Sequence, residues 1–90
     1  MTKTDLVEAM AEDSGLTKAD AERALAAFVK VVSEALSRGQ SVQLTGFGTF
    51  EPRQRAARKG RNLYTGEEMH VPAAVVPAFR AGKALKDVVR

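Results

Sequence analysis

Apolar residues recur at helical spacing in two stretches of the first half of the chain. The first covers residues 3–13, with Thr2 as an N-terminal cap and Gly15 as the residue type that commonly follows a helix end. The second covers residues 18–38 and begins after the cap residue Thr17. The pattern predicts two helices, and the apolar stripe of the second is wide for one short partner helix.

After residue 40 the chain alternates between apolar and polar residues, as a strand with one buried face does. Residues 41–44 and 49–51 flank a turn that contains glycine and predict a β-hairpin, and residues 67–72 and 75–79 predict further strands. A last helix is predicted over residues 83–90. Its apolar side chains, which we expect to face inward, are Ala84, Leu85, Val88 and Val89. Helices and strands are segregated along the chain, which indicates the α+β class.

Residues 52–62 interrupt this pattern, because they contain five basic residues, no acidic residue and no large apolar side chain. A segment without an apolar face cannot join a core, so it is either disordered or a two-stranded ribbon that orders on a partner. As a strand, it would carry a row of residues on one side, with Arg58 on the other. That row is Arg53, Arg55, Ala57, Lys59 and Arg61. Such a row suits phosphates and narrow minor grooves, whereas the alternative is a solvated edge hairpin whose charges prevent aggregation.

The length of 90 residues indicates a single domain with a small core, and the absence of Cys excludes disulfides and thiolate metal sites as a source of stability. A partner subunit is the remaining source of stability for so small a core. The stripe of the second helix and the four Phe residues exceed what one small body would bury, so we expect a homodimer. These residues are Phe28, Phe47, Phe50 and Phe79.

Charge is divided unequally along the chain. Residues 1–51 hold five basic and eight acidic residues, a net charge of −3, whereas residues 52–90 hold nine basic and three acidic residues, a net charge of +6. A basic end of this kind indicates a polyanionic partner, and the alternative is a solvated surface. The chain contains neither a run of about 18 apolar residues nor an apolar signal-peptide core, so we expect it to stay in the cytoplasm.

Several short motifs occur in the order that is typical of one known family. They are Gly-Phe-Gly-Thr-Phe at residues 46–50, Arg-Lys-Gly-Arg-Asn at 58–62, Thr-Gly-Glu at 65–67, Val-Pro-Ala-Phe at 76–79 and Gly-Lys-Ala-Leu-Lys at 82–86. The whole chain resembles the HU/IHF family of bacterial nucleoid proteins, and it is closer to HU. The resemblance implies one domain over residues 1–90 and an intertwined homodimer, and it also allows a heterodimer with a homologue. Each subunit would have a helical N-terminal half, a three-stranded antiparallel sheet with a protruding β-ribbon arm at about residues 52–76, and a short C-terminal helix.

The resemblance also implies a function and a set of contact residues. The protein is expected to be an architectural nucleoid-associated protein of the bacterial cytoplasm that binds double-stranded DNA in the minor groove with little sequence specificity. It would bend and compact DNA and prefer distorted DNA. The residues expected to contact DNA are Arg53, Arg55, Arg58, Lys59, Arg61, Asn62, Leu63, Arg80, Lys83 and Lys86.

Two positions depart from the family pattern. Leu63 stands where the family usually has a proline that wedges between base pairs, and Leu is itself among the apolar wedges of minor-groove binders. The binding mode is therefore expected to be kept. Pro52 lies at the base of the arm, where a proline removes a donor from the strand ladder and is expected to loosen the connection between body and arm.

Other classes of protein fit the sequence less well. Catalysis needs convergent groups, whereas the chain has one His, His70, and no phosphate-binding glycine-rich loop, so no enzymatic activity, metal or cofactor is expected. RNA-binding modules usually present aromatic residues on a sheet surface, but the Phe residues here occupy expected core positions. A protein that only associates with itself would not need the unequal charge.

Overall fold

The computed structural model describes residues 1–56, 58–61, 64–71 and 73–90. Two compact units divide the chain, Met1–Glu34 and Ala35–Arg90. In chain order, the elements are α1 (Lys3–Ser14), α2 (Lys18–Ser37), β1 (Val42–Leu44), β2 (Gly48–Arg55), β3 (Arg58–Arg61), β4 (Glu68–Val71), β5 (Ala74–Ala81) and α3 (Lys83–Val89). The predicted α+β class is confirmed. Over the described residues, no helix is both long and apolar enough to cross a membrane.

Both N-terminal helices begin at the caps that the sequence predicts. At α1, the Thr2 hydroxyl accepts a hydrogen bond from the Asp5 amide over 3.3 Å, and the Asp5 carboxylate accepts one from the Thr2 amide over 3.0 Å. At α2, the Thr17 hydroxyl accepts from the Asp20 amide over 3.1 Å. Gly15 follows α1 with a φ of 77°, in the left-handed region that favours glycine. These signals are local, so the residues at each helix end determine where it begins and ends.

The helical unit has a small core. Its cluster consists of Val7 and Ala11 from α1 and Ala21 from α2, with Met10 and Leu25 packed against it. Other apolar side chains of α2 stay accessible, and Phe28, Val29 and Val31 are 40%, 54% and 60% exposed. An apolar groove of about 530 Å³ also opens on this unit between Leu6 and Val29. A single chain therefore leaves uncovered much of the apolar surface that its helices carry.

β1, β2 and β5 form an antiparallel sheet in which β2 is central. A tight turn joins β1 to β2, where the Phe47 amide donates to the Leu44 carbonyl over 2.9 Å. Gly46 is the third residue of this four-residue turn and has a φ of 84°, a conformation that favours glycine at that position. The predicted hairpin is confirmed.

One face of this sheet is aromatic. Phe50 of β2 lies directly opposite Phe79 of β5, and their ring centroids are 4.8 Å apart. Phe47, from the turn, approaches Phe79 to 5.4 Å between centroids. Tilted ring pairs at these distances are favourable, so Phe47, Phe50 and Phe79 form a cluster on this face.

Pro52 and Pro77 lie opposite each other in the β2–β5 ladder. The Gly82 amide donates to the Phe47 carbonyl over 2.8 Å, so Phe47 and Gly82 form a hydrogen-bonded pair at the start of this ladder. Hydrogen-bonded and non-hydrogen-bonded pairs alternate in an antiparallel ladder, which makes the two prolines a non-hydrogen-bonded pair. Both proline nitrogens thus face away from the ladder. Contrary to the expectation from sequence, Pro52 removes no hydrogen bond between β2 and β5.

α3 begins at Lys83, as predicted, but its apolar residues do not face a core within the chain. Val88 and Val89 are 81% and 76% exposed, Ala84 is exposed and Leu85 is only partly buried. The inward orientation expected of these four residues is therefore wrong for a single chain. The physical reason is that the described part of the chain buries no residue of this seven-residue helix.

Candidate nucleic-acid interface

The face of the three-stranded sheet opposite the Phe cluster is polar. Successive residues of a strand point to opposite faces, so every second residue of β2 joins this side. We define the polar sheet face as Gln43 of β1, Thr49, Glu51, Arg53 and Arg55 of β2, and Arg80 of β5. Three of these six side chains are arginines, which makes the face a candidate surface for an anionic partner.

Arg53 and Arg55 occupy the end of β2, opposite Val76 and Ala74 of β5. The shared face predicted for the two arginines is confirmed by this register. Both are exposed, and their cross-strand partners carry no charge. Neither arginine is therefore covered by its cross-strand partner, and a ligand on this side of the sheet can reach both side chains.

Glu51 links two arginines of the polar sheet face. Its Oε1 accepts a hydrogen bond from Nη2 of Arg53 over 3.1 Å, and its Oε2 lies 3.8 Å from Nη2 of Arg80. Arg80 is opposite Thr49 in the register and thus diagonal to Glu51, a position from which a long side chain reaches across two strands. Glu51 is not among the site residues expected from the sequence. The available signal was its spacing of two residues from Arg53, which places both on one face.

The basic segment forms a second, two-stranded sheet in which β3 pairs with β4. Its register joins Arg58 to Val71, Lys59 to His70 and Arg61 to Glu68, and the predicted ribbon is confirmed as a backbone structure. β2 ends at Arg55 and β3 begins at Arg58, so the basic residues are divided between two sheets. The structure describes only the backbone of Arg58, Lys59 and Arg61, so the single row predicted for their side chains stays a prediction.

The predicted tip of the arm also lies outside the described residues. Asn62 and Leu63, which form this tip and are both expected to contact DNA, are outside the described residues. Ala57 and Pro72, elsewhere in the arm, are also outside them. Their roles stay predictions from the sequence.

Lys83 and Lys86 lie on one side of α3, three residues apart, and both are exposed. Gly82 precedes the helix and supplies no side-chain cap. Cations in the first turn of a helix oppose its dipole, so Lys83 weakens the helix that carries it. An anionic ligand at this end would offset that cost.

The described side chains show no arrangement suited to metal chemistry. Among them, no group of three His, Cys, Asp or Glu residues is placed to hold a metal ion. The side chain of His70 lies outside the description.

Comparison with known proteins places this geometry in a family. The model of the family described as "Bacterial DNA-binding protein" matches residues 1–90. The chain is 60% identical to DNA-binding protein HU of Geobacillus stearothermophilus over 90 residues, the whole of both chains. It is 59% identical to DNA-binding protein HU of Lactococcus lactis over 88 residues, which are 98% of this chain and 97% of the relative. Among solved structures, an Anabaena HU–DNA cocrystal structure superimposes with a TM-score of 0.95 at 48% identity, over 99% of this chain and 97% of the other.

Proposed function

The chain belongs to the bacterial DNA-binding protein family, and on that premise we propose that it is an architectural protein of the bacterial nucleoid. It binds double-stranded DNA as a dimer, with little dependence on sequence, and it bends and compacts the duplex. Its working place is the cytoplasm, where the nucleoid lies. It acts by binding and deforming DNA, and it carries out no covalent chemistry on it.

The observation that carries the proposal is the polar sheet face, which aligns three arginines on strands that lead into the basic ribbon. Arg53, Arg55 and Arg80 project from paired strands with a fixed register. The Anabaena HU chain solved with DNA is similar over almost the whole length, which supports DNA as the ligand of this chain. Contacts from arginine and lysine to phosphates supply affinity without reading sequence.

The arm is proposed to follow the minor groove, with β3 and β4 as its two strands. The side chains of Arg58, Lys59, Arg61 and Asn62 would contact the groove and its phosphates, and Leu63 would insert between base pairs at the tip. On the flank, Arg80, Lys83 and Lys86 would contact phosphates beside the sheet. Distorted DNA has already lost part of its stacking, so it would be bound more tightly than intact duplex.

The dimer is proposed from apolar surface that the chain leaves accessible. Phe28 and Phe79 are each 40% exposed, and Leu6, Leu25 and Val29 line the groove on the helical unit. Exposed apolar surface of this extent marks an interface in a soluble protein. A second copy of the chain is the partner we propose, and a homologue with the same surfaces could replace it.

Gel-shift affinities at stated salt test the proposed function. The probes are linear duplexes of two unrelated sequences, a nicked duplex, a four-way junction and a duplex RNA. We expect similar affinities for the two linear sequences, tighter binding to the nicked and four-way DNA, weaker binding to RNA, and a steep fall with salt. No binding to any DNA at about 50 mM salt, or a preference for RNA, would contradict the proposal.

Single substitutions test the surface itself. Arg53→Ala or Arg55→Ala should weaken binding to both linear sequences equally and reduce the salt slope by about one unit. Arg23→Ala is the matched control, because Arg23 is an exposed arginine of α2 that pairs with Asp20, outside the polar sheet face. An altered sequence preference in either sheet variant would indicate base readout and would contradict this use of the face.

A further inference from the structure

Glu51 carries the negative charge of the polar sheet face. Its side chain is 22% exposed, whereas the side chains of Arg53 and Arg80 that it contacts are 59% and 67% exposed. The carboxylate therefore lies closer to the sheet than the two guanidinium groups do. Each guanidinium is nearest to a different carboxylate oxygen, so both arginines can be held at the same time.

The charge of this three-residue network is smaller than its arginines suggest. Two guanidinium groups and one carboxylate leave a net charge of +1 where the two arginines alone would carry +2. Exposed ion pairs are usually weak, because water and salt screen them. The partial burial of Glu51 reduces this screening at the carboxylate, although both guanidinium groups stay accessible to ions and to DNA.

We propose that Glu51 sets the DNA affinity of the polar sheet face by holding Arg53 and Arg80 in a network with which phosphates must compete. The inference rests on the proposed function, since it concerns the same surface and the same ligand. A phosphate that approaches either guanidinium takes over a contact that Glu51 already makes. Binding at this face then replaces one anion by another and releases fewer counterions than two unpaired arginines would.

Glu51→Gln tests the proposal, because it removes the charge and keeps the shape of the side chain. At about 50 mM salt the variant should bind linear duplex DNA about three- to tenfold more tightly than the parent, with a salt slope steeper by up to about 0.9. A fourfold rise in salt concentration should then reduce the ratio of variant affinity to parent affinity by about three- to fourfold. Glu51→Thr, a second neutral replacement with high strand propensity, should behave alike and guards against a folding defect specific to Gln.

Glu8→Gln is the matched control. Glu8 of α1 pairs with Lys18 over 3.7 Å, so this change also removes one negative charge and one ion pair, but on the helical unit. An increase in affinity in both variants would show that only the overall charge matters, and it would overturn the proposal.

A double-mutant comparison separates competition for the arginines from simple repulsion of DNA. In a background of Arg53→Ala and Arg80→Ala, Glu51→Gln should change the affinity less than about twofold, because no guanidinium remains to be released. A gain that persists in this background would overturn the proposal in favour of repulsion. Weaker binding of Glu51→Gln in the otherwise unchanged chain would overturn it in favour of Glu51 orienting the arginines for DNA.

The parent protein distinguishes failure of this inference from failure of the proposed function. A parent that binds no DNA contradicts both. A parent that binds DNA with the expected salt dependence, together with Glu51 variants of unchanged affinity and slope, contradicts the role of Glu51 alone.

Discussion

Gly48 begins β2 and lies against the ring of Phe79 on the aromatic face of the sheet. A Cβ atom at this position would overlap the distal ring atoms of Phe79 and would lie 2.7 Å from the Arg80 carbonyl oxygen. Glycine is therefore required here for space, since its φ is not in the left-handed region. The close approach lets the β2–β5 ladder and the Phe cluster form together.

Gly48→Ala should lower the free energy of unfolding by about 1–3 kcal/mol, because the added methyl group overpacks the sheet. Thermal unfolding followed by circular dichroism at fixed protein concentration measures the loss. Phe79→Leu removes ring atoms from the contact, so the double variant should lose less than the sum of the two single losses. Strict additivity would show that the methyl group does not meet the ring.

Leu63 is an apolar residue predicted at the end of a polar ribbon, and its role is argued from the sequence alone. Minor-groove architectural proteins, HU and IHF among them, insert apolar side chains between base pairs at a cost on the order of a few kcal/mol per step. Leu63→Ala should therefore reduce DNA bending and the preference for nicked DNA, while affinity for linear duplex changes little.

Leu63→Pro is the matched variant for this prediction. It restores the residue that the family usually has, so bending should be preserved. Fluorescence transfer between the ends of nicked and intact duplexes measures the bend for all three proteins. Equal bending by the parent and by Leu63→Ala would show that the tip does not insert.

At the scale of elements, the β2–β5 ladder determines where proline is tolerated. The nitrogens of Pro52 and Pro77 face away from the ladder, so each proline leaves an outer edge of the sheet without a donor. Edges that lack donors are poor templates for pairing with another chain. Ala78 is one residue from Pro77 and faces Glu51 in the register, at a hydrogen-bonded position.

Two substitutions separate these positions. Pro52→Ala should change the free energy of unfolding by less than about 0.5 kcal/mol, because no hydrogen bond depends on it. Ala78→Pro should cost about 1–3 kcal/mol, because it removes a donor that the Glu51 carbonyl needs. Urea unfolding of both variants measures the difference. Similar losses in the two would mean that the assigned alternation of hydrogen bonds is wrong.

At the scale of the whole molecule, the dimer that we propose is based on exposed apolar surface. If the dimer is obligate, the melting temperature should rise by on the order of a few degrees for each tenfold increase in protein concentration. Val29→Asp, in the apolar groove on the helical unit, should abolish this dependence and the dimer. Sedimentation at micromolar concentration and thermal scans over a hundredfold concentration range are the measurements.

Ala27→Asp is the matched control for the dimer, because it introduces the same charge on the same helix. Ala27 is exposed and lies outside both the apolar stripe of α2 and the residues that line the groove. This variant should remain dimeric, with a stability within about 1 kcal/mol of the parent. A folded parent monomer at micromolar concentration would contradict the dimer itself.

The sequence by itself determined those features that depend on neighbouring residues. Thr2, Thr17 and Gly15 marked the helix ends, and alternation around Gly46 predicted the hairpin, because caps, turns and strand faces follow from local backbone preferences. The shared face of Arg53 and Arg55 followed from the same alternation. The ordered motifs along the chain indicated the family, which the family model and the HU relatives then confirmed.

Only the tertiary structure decided features that depend on strand register and on packing between elements. The spacing of residues along β2 could not predict the contact between Arg80 and Glu51, because that contact depends on how β5 pairs with β2. The outward nitrogen of Pro52 likewise follows from the ladder and not from the residue type. The apolar side of α3 is exposed in a single chain, because an apolar pattern shows only that a helix has a side to cover, whereas the packing of other elements determines what covers it.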